Sequence, residues 1–98
     1  MTRSTRLNEA AIGTWLETRA GWSHDETSLR KAFSFPDYSS AVAFVVRVAL
    51  EAEKRDHHPD MLLGFGRVDV RWTTHNAGGV TDLDCRSAEF CDQLMASP

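Results

Sequence analysis

The 98-residue chain is 42% hydrophobic and 26% charged, which suits one domain with one core and excludes a disordered or fibrous chain. Its net charge of −3 excludes a whole-molecule field that would draw nucleic acid or an anionic membrane. The longest apolar run, Ala41 to Val46, falls far short of the roughly 20 residues a membrane-spanning helix needs.

Met1 to Arg6 is polar and leads into no signal-like apolar stretch. The two cysteines offer no disulfide framework. Both readings point to a cytoplasmic protein, with neither nucleic acid nor membrane as partner.

The first predicted element is a short helix from Leu7 to about Arg19. Asn8 can cap it, Leu7 and Ile12 sit where a hydrophobic staple would, and Ile12, Trp15 and Leu16 form its apolar stripe. From Gly21 to Phe35 the period changes to two. Leu29, Phe33 and Phe35 alternate with Ser28, Arg30, Ala32 and Ser34, and Lys31 interrupts the apolar side. This reads as a strand, preceded by a turn at His24 to Thr27 and a shorter strand carrying Trp22.

Asp37 is placed to cap a long helix running to about Asp56. Ser40, Arg47, Glu51 and Lys54 make a narrow polar stripe, and Ala41, Val42, Phe44, Val45, Val46, Val48, Ala49 and Leu50 fill most of the remaining circumference. A helix lying on one sheet needs an apolar face only about 100° wide. The pattern therefore predicts cover on two sides, either from a second copy of the chain or from the first and last helices.

Pro59 is read as the stop of that helix. Met61 to Phe65 and Arg67 to Thr74 form a second predicted hairpin, with Val68, Val70 and Trp72 on one face. After His75 to Gly79, a last helix begins at Thr81 and carries Leu83, Ser87, Phe90, Cys91, Leu94 and Met95 at helical spacing. Cys85 and Cys91 would lie about 9 Å apart along its axis, too far for a disulfide. The order α-β-β-α-β-β-α predicts a single α+β domain over residues 1–98, with three helices on one face of a four-stranded antiparallel sheet.

Three of the four histidines fall near joints between elements: His57, His58 and His75. Glu53 precedes His57 by four residues, so both point from the same helical face, where the carboxylate can accept the imidazole N–H and fix its tautomer. Adjacent His57 and His58 point in different directions, which suits two roles. The chain contains neither a His-x-x-x-His nor a Cys-x-x-Cys pair, and no metal or cofactor is expected.

Together, Glu53, His57-His58-Pro59-Asp60, aromatic Phe65, Thr74-His75-Asn76-Ala77-Gly78-Gly79 and Asp84 resemble the signature of the pterin-4α-carbinolamine dehydratases. Gly21-Trp22, Phe33-Ser34-Phe35, Asp37-Tyr38 and Arg47 to Glu53 extend the likeness over nearly the whole chain. Asn76 stands where other members carry an acid, and Phe65 where tyrosine is common.

The resemblance implies dehydration of 4a-hydroxytetrahydrobiopterin to quinonoid dihydrobiopterin. It also implies homodimers or homotetramers formed through the sheet edge and the long helix. By the same resemblance His57 and His75 are the acid/base pair and His58 binds and orients the pterin. Glu53 orients His57, and the backbone near Asp56, Thr73 and Thr74, with the Asn76 amide, holds the pterin edge. Trp22 reads equally as a core tryptophan and as an aromatic beside the substrate. Asp84, three residues after a Thr81 cap, reads as a site-supporting member of a capping box. Members of the same fold also serve as a dimerisation cofactor or as assembly chaperones, a non-enzymatic alternative.

Overall fold

The computed structural model describes residues 5–96; the first four residues of the N-terminal segment read above for targeting lie outside that range. Each predicted element is present, although the first short strand begins at Ser23 and leaves Trp22 just outside it. The elements are α1 (Glu9–Glu17), β1 (Ser23–His24), β2 (Leu29–Ser34), α2 (Tyr38–Arg55), β3 (Asp60–Gly64), β4 (Arg67–Trp72) and α3 (Asp82–Ala96). The strands form one antiparallel sheet in the order β1-β2-β4-β3.

Register follows from the alternation of side chains. Leu29 pairs with Trp72 and Phe33 with Val68, so these four apolar residues point to the helical side together. There they meet Ile12 from α1, Phe44, Val48 and Ala52 from α2, and Cys85, Ala88 and Cys91 from α3, all buried. Lys31, the interruption in the apolar pattern, also points inward. Its ammonium reaches Asp92 at 2.7 Å and the Ala20 carbonyl at 3.0 Å, and lies 4.9 Å from the centroid of the Phe33 ring. An ion pair at the rim thus accommodates a charge that the strand pattern alone would place in the core.

Capping sets the helix starts as read. Asn8 Oδ1 accepts from Ala11 N–H and Asp37 Oδ1 from Ser40 N–H, each at 2.8 Å. The helix α2 ends near Asp56 as expected, but Pro59 is not what stops it. It closes at Asp56, before Pro59, in a Schellman arrangement: His57 N–H donates to Ala52 O at 3.1 Å and Asp56 N–H to Glu53 O at 3.3 Å. Asp56 takes the left-handed conformation there, with φ 53°, a region in which Asp is enriched among non-glycine residues.

The strands end earlier than read. β4 stops at Trp72, and the chain turns through a short 3₁₀ segment, His75–Ala77. At the turn between β3 and β4, Gly66 lies so close to the Phe35 carbonyl that a Cβ would meet its oxygen at 2.8 Å; only glycine fits.

One side of α2 is buried and the other is bare. Val46 is 49% and Leu50 63% exposed, so α1 and α3 do not cover the second apolar side within the chain. None of the described helices is long and apolar enough to cross a membrane. Burial pushes both free thiols up, Cys85 to about 11 with help from Asp82 and Asp84, and Cys91 to about 12. Neither forms a thiolate nucleophile at neutral pH.

The turn between β1 and β2 is built on Asp25, whose carboxylate accepts from Thr27 N–H at 2.9 Å and from Ser28 N–H at 2.8 Å, as well as from the Ser28 hydroxyl. Burial works to raise the Asp25 pKa. The hydrogen bonds and the Arg71 charge outweigh it, and the net direction is down. A carboxyl lowered in the folded state stabilises the protein above the unfolded value near about 3.9; that stability disappears as pH falls through the lowered folded value. Asp25→Ala is therefore expected to destabilise at pH 7, and denaturant titrations at descending pH should show the difference from wild type shrinking in the acid range.

Candidate active site

The turn at Asp56 positions the site. Because the chain leaves the helix there, His57 is not on the face that Glu53 shares with a continuing helix. The imidazole swings toward the sheet and lies flat on Trp72 of β4, with ring centroids 5.5 Å apart and planes at 17°. His57 Nε2 sits 2.6 Å from Asp84 Oδ1, with the two side chains 10% and 0% exposed.

Asp84 stands three residues after the Thr81 cap, in the first turn of α3. Its Oδ2 accepts from Thr81 N–H at 2.9 Å and from the Thr74 hydroxyl at 2.8 Å. The Thr81 hydroxyl in turn accepts from Leu83 N–H at 3.2 Å and lies 2.8 Å from the Thr74 hydroxyl. A fully buried carboxylate is thus bonded by three donors from three segments, which is how a buried acid stays supported. The capping box read from the sequence is present, and it also grips His57.

Glu53 pairs with the other imidazole. Its Oε1 is 2.9 Å from His58 Nε2, and both side chains are exposed. The expectation that Glu53 orients His57 is corrected: Asp84 takes that place, because the helical i,i+4 relation ends at Asp56.

His75 opens the 3₁₀ turn, which is closed by Ala77 N–H to Thr74 O and Gly78 N–H to His75 O, each at 3.0 Å. Gly78 completes it with φ 75°, a left-handed position suited to glycine. Thr74 and Gly79 also form an isolated antiparallel bridge. The exposed His75 ring makes no hydrogen bond to another described residue.

One cavity of about 350 Å³ collects these groups. His57, His58 and His75 line it together with Asp56, Pro59, Asp60, Thr73, Thr74 and Asn76. Its size lies in the range of small-molecule sites. The three imidazoles, separated by up to 18 positions in sequence, therefore share one wall system. His57 also borders a second cavity of about 440 Å³ between α2 and α3, with Arg55, Arg86 and Phe90.

Trp22 is elsewhere. It is 7% exposed in the core, donates from its indole N–H to Asp92 at 2.9 Å and packs edge-on against Phe33. Of its two readings, the structure favours the core tryptophan. Thr73 and Thr74 both reach the cavity, but their hydroxyls are turned away from it, to the Thr27 carbonyl and to Asp84. Asp60, Trp72 and Thr81 were not singled out as individual site residues from sequence. Thr81 was legible as a cap, whereas nothing in a strand's alternation tells that Trp72 will stack on an imidazole from another element.

The chain and its fold have relatives. The family model for pterin 4 alpha carbinolamine dehydratase matches residues 5–94. A Roseiflexus protein named "Putative pterin-4-alpha-carbinolamine dehydratase" is 41% identical over 92 residues, covering 94% of this chain and 99% of its own. A Bradyrhizobium protein with the same name is 44% identical over 94 residues, covering 94% and 95%. A crystal structure from Brucella melitensis, described as a transcriptional coactivator/pterin dehydratase, superposes with a TM-score of 0.87 at 36% identity over 91% of this chain and 97% of that one. A pterin dehydratase-like protein identified as a RuBisCO assembly factor in the alpha-carboxysome shares the fold, with a TM-score of 0.64 at 23% identity over 79% and 89% of the two chains. The chain belongs to the pterin 4 alpha carbinolamine dehydratase family.

Proposed function

We propose that the protein dehydrates 4a-hydroxytetrahydrobiopterin to quinonoid dihydrobiopterin, with His57 and His75 as the proton-transfer pair. The observation that carries this reading is the convergence of three imidazoles on one cavity, with one of them fixed by a buried carboxylate.

In the reaction the C4a–O bond breaks and the hydroxyl takes a proton and leaves as water. The N5–H proton passes to a base, and its electron pair forms the N5–C4a double bond. The protons balance, and an acid and a base of near-neutral strength suffice. With Nε2–H donated to Asp84, the neutral His57 presents the Nδ1 lone pair as the nitrogen able to take the N5 proton. Exposed His75 exchanges with solvent and is suited to protonating the departing hydroxyl. His58, tethered by Glu53, would hold the pterin ring, with the backbone at Asp56, Thr73 and Thr74 and the Asn76 amide along its edge.

The reading includes self-association. Val46 and Leu50 on the bare side of α2, together with Leu62 on edge strand β3, are exposed apolar side chains, and they support a homodimer or homotetramer through the sheet edge and the long helix.

The test is a spectrophotometric dehydration assay with 4a-hydroxytetrahydrobiopterin. Wild type should accelerate the reaction over buffer. His75→Ala should lower kcat by about 10²–10⁴-fold with an unchanged melting temperature, because that ring is exposed. A wild type that does no better than buffer overturns the proposal.

A further inference from the structure

We infer that Trp72 is a positioning residue, whose indole face sets the plane of the His57 imidazole for proton transfer. This inference rests on the reading of His57 given above and goes beyond it by naming what holds the ring face, as Asp84 holds its edge.

Two independent constraints act on this imidazole. The Asp84 carboxylate holds Nε2 at 2.6 Å, yet one hydrogen bond leaves the ring free to rock about that contact. The indole, parallel to within 17° at 5.5 Å, removes that freedom from one side. Trp72 is itself 2% exposed and packed in the core, so it is a fixed surface. With Nε2 anchored and one face covered, Nδ1 has a single defined direction.

The chemistry of the residue argues the same way. The Trp72 indole N–H is buried, and the polar neighbour it meets is the Cys91 sulfur, a weak acceptor that leaves the donor poorly satisfied. Buried indoles ordinarily find a partner for that group. A leucine or phenylalanine facing Leu29 across the strands would fill an apolar site without burying a donor that only a sulfur meets. What tryptophan adds at this position is a broad flat face, and that face is occupied by His57.

The test compares Trp72→Leu with Trp72→Phe in the full-length protein. Proton transfer is sensitive to displacements near 1 Å, so Trp72→Leu should lower kcat by about 10²-fold while KM stays near wild type. Trp72→Phe, which restores an aromatic face, should recover most of that loss. In NMR spectra of the pterin-free protein, the His57 ring protons should show upfield ring-current shifts that are lost in Trp72→Leu and retained in Trp72→Phe. Should the leucine variant fail to fold, Trp72→Met supplies a flexible non-aromatic side chain for the same comparison. Equal kcat in the leucine and wild-type proteins, equal losses in the leucine and phenylalanine variants, or His57 shifts unmoved by Trp72→Leu would each overturn the inference. A wild type without dehydratase activity would instead remove the proposed reaction, and the ring-proton shifts would still decide whether Trp72 sets the imidazole plane.

Discussion

Asp84→Ala is expected to lose roughly 3–5 kcal/mol of stability, as when one partner of a buried polar pair is removed, and nearly all turnover. The substitution strips the acceptor from His57 Nε2, the Thr74 hydroxyl and Thr81 N–H at once, in a place that no solvent reaches. Denaturant unfolding measures the first loss. Asp84→Asn separates the two roles. An amide keeps the volume but offers one acceptor oxygen and an NH₂ group, so it cannot receive every present donor. If the NH₂ group faces His57, the ring must accept at Nε2 and carry its proton on Nδ1, the wrong tautomer for taking a proton from N5. A fall in kcat of about 10²–10⁴-fold, with a stability loss smaller than that of the alanine variant, is the expected result. An asparagine variant with wild-type kcat would contradict the tautomer-fixing role.

His57→Gln is expected to lower kcat by about 10²–10⁴-fold while keeping the fold. Its amide retains a donor for Asp84 but has no group that titrates. His57→Ala is the less informative change, because it leaves a fully buried carboxylate short of a partner and opens space against Trp72. It should lose stability as well as activity. Thermal unfolding beside steady-state assays separates these effects: the glutamine variant should melt close to wild type and turn over slowly. A glutamine variant as active as wild type would take His57 out of the proton-transfer pair.

Much of the architecture was legible because local rules and tertiary packing agree. Asn8, Asp37 and Thr81 are capping residues in sequence and cap in the structure. The alternation of Val68, Val70 and Trp72 put one strand face in the core, where all three are buried. The end of α2 near Asp56 was legible, but the geometry that closes it was not. Proline is a visible breaker, whereas an aspartate adopting a left-handed backbone leaves no comparable mark, so Glu53 and His57 were read as sharing a helical face across the turn at Asp56. That small error changed the site, because Glu53 and His57 are helical neighbours only while the helix continues. The true partner, Asp84, lies 27 positions away and was legible only as a cap and, by resemblance, as a member of the motif. Trp22 illustrates the opposite limit: an aromatic at a strand end fits a core and a binding site alike, and its bond to Asp92 on α3 exists only in three dimensions.

In the proposed reaction the imidazoles of His57, His58 and His75 receive one pterin together. The most direct measurement is a titration of the protein with 7,8-dihydrobiopterin, followed by the histidine ring resonances in NMR spectra. Saturable shifts with a common midpoint are predicted for these three rings, with His24, which lies outside the cavity, unmoved. Binding that leaves the three rings unshifted, or that moves His24 and the Arg30 and Arg71 signals of the open sheet face instead, would contradict the account.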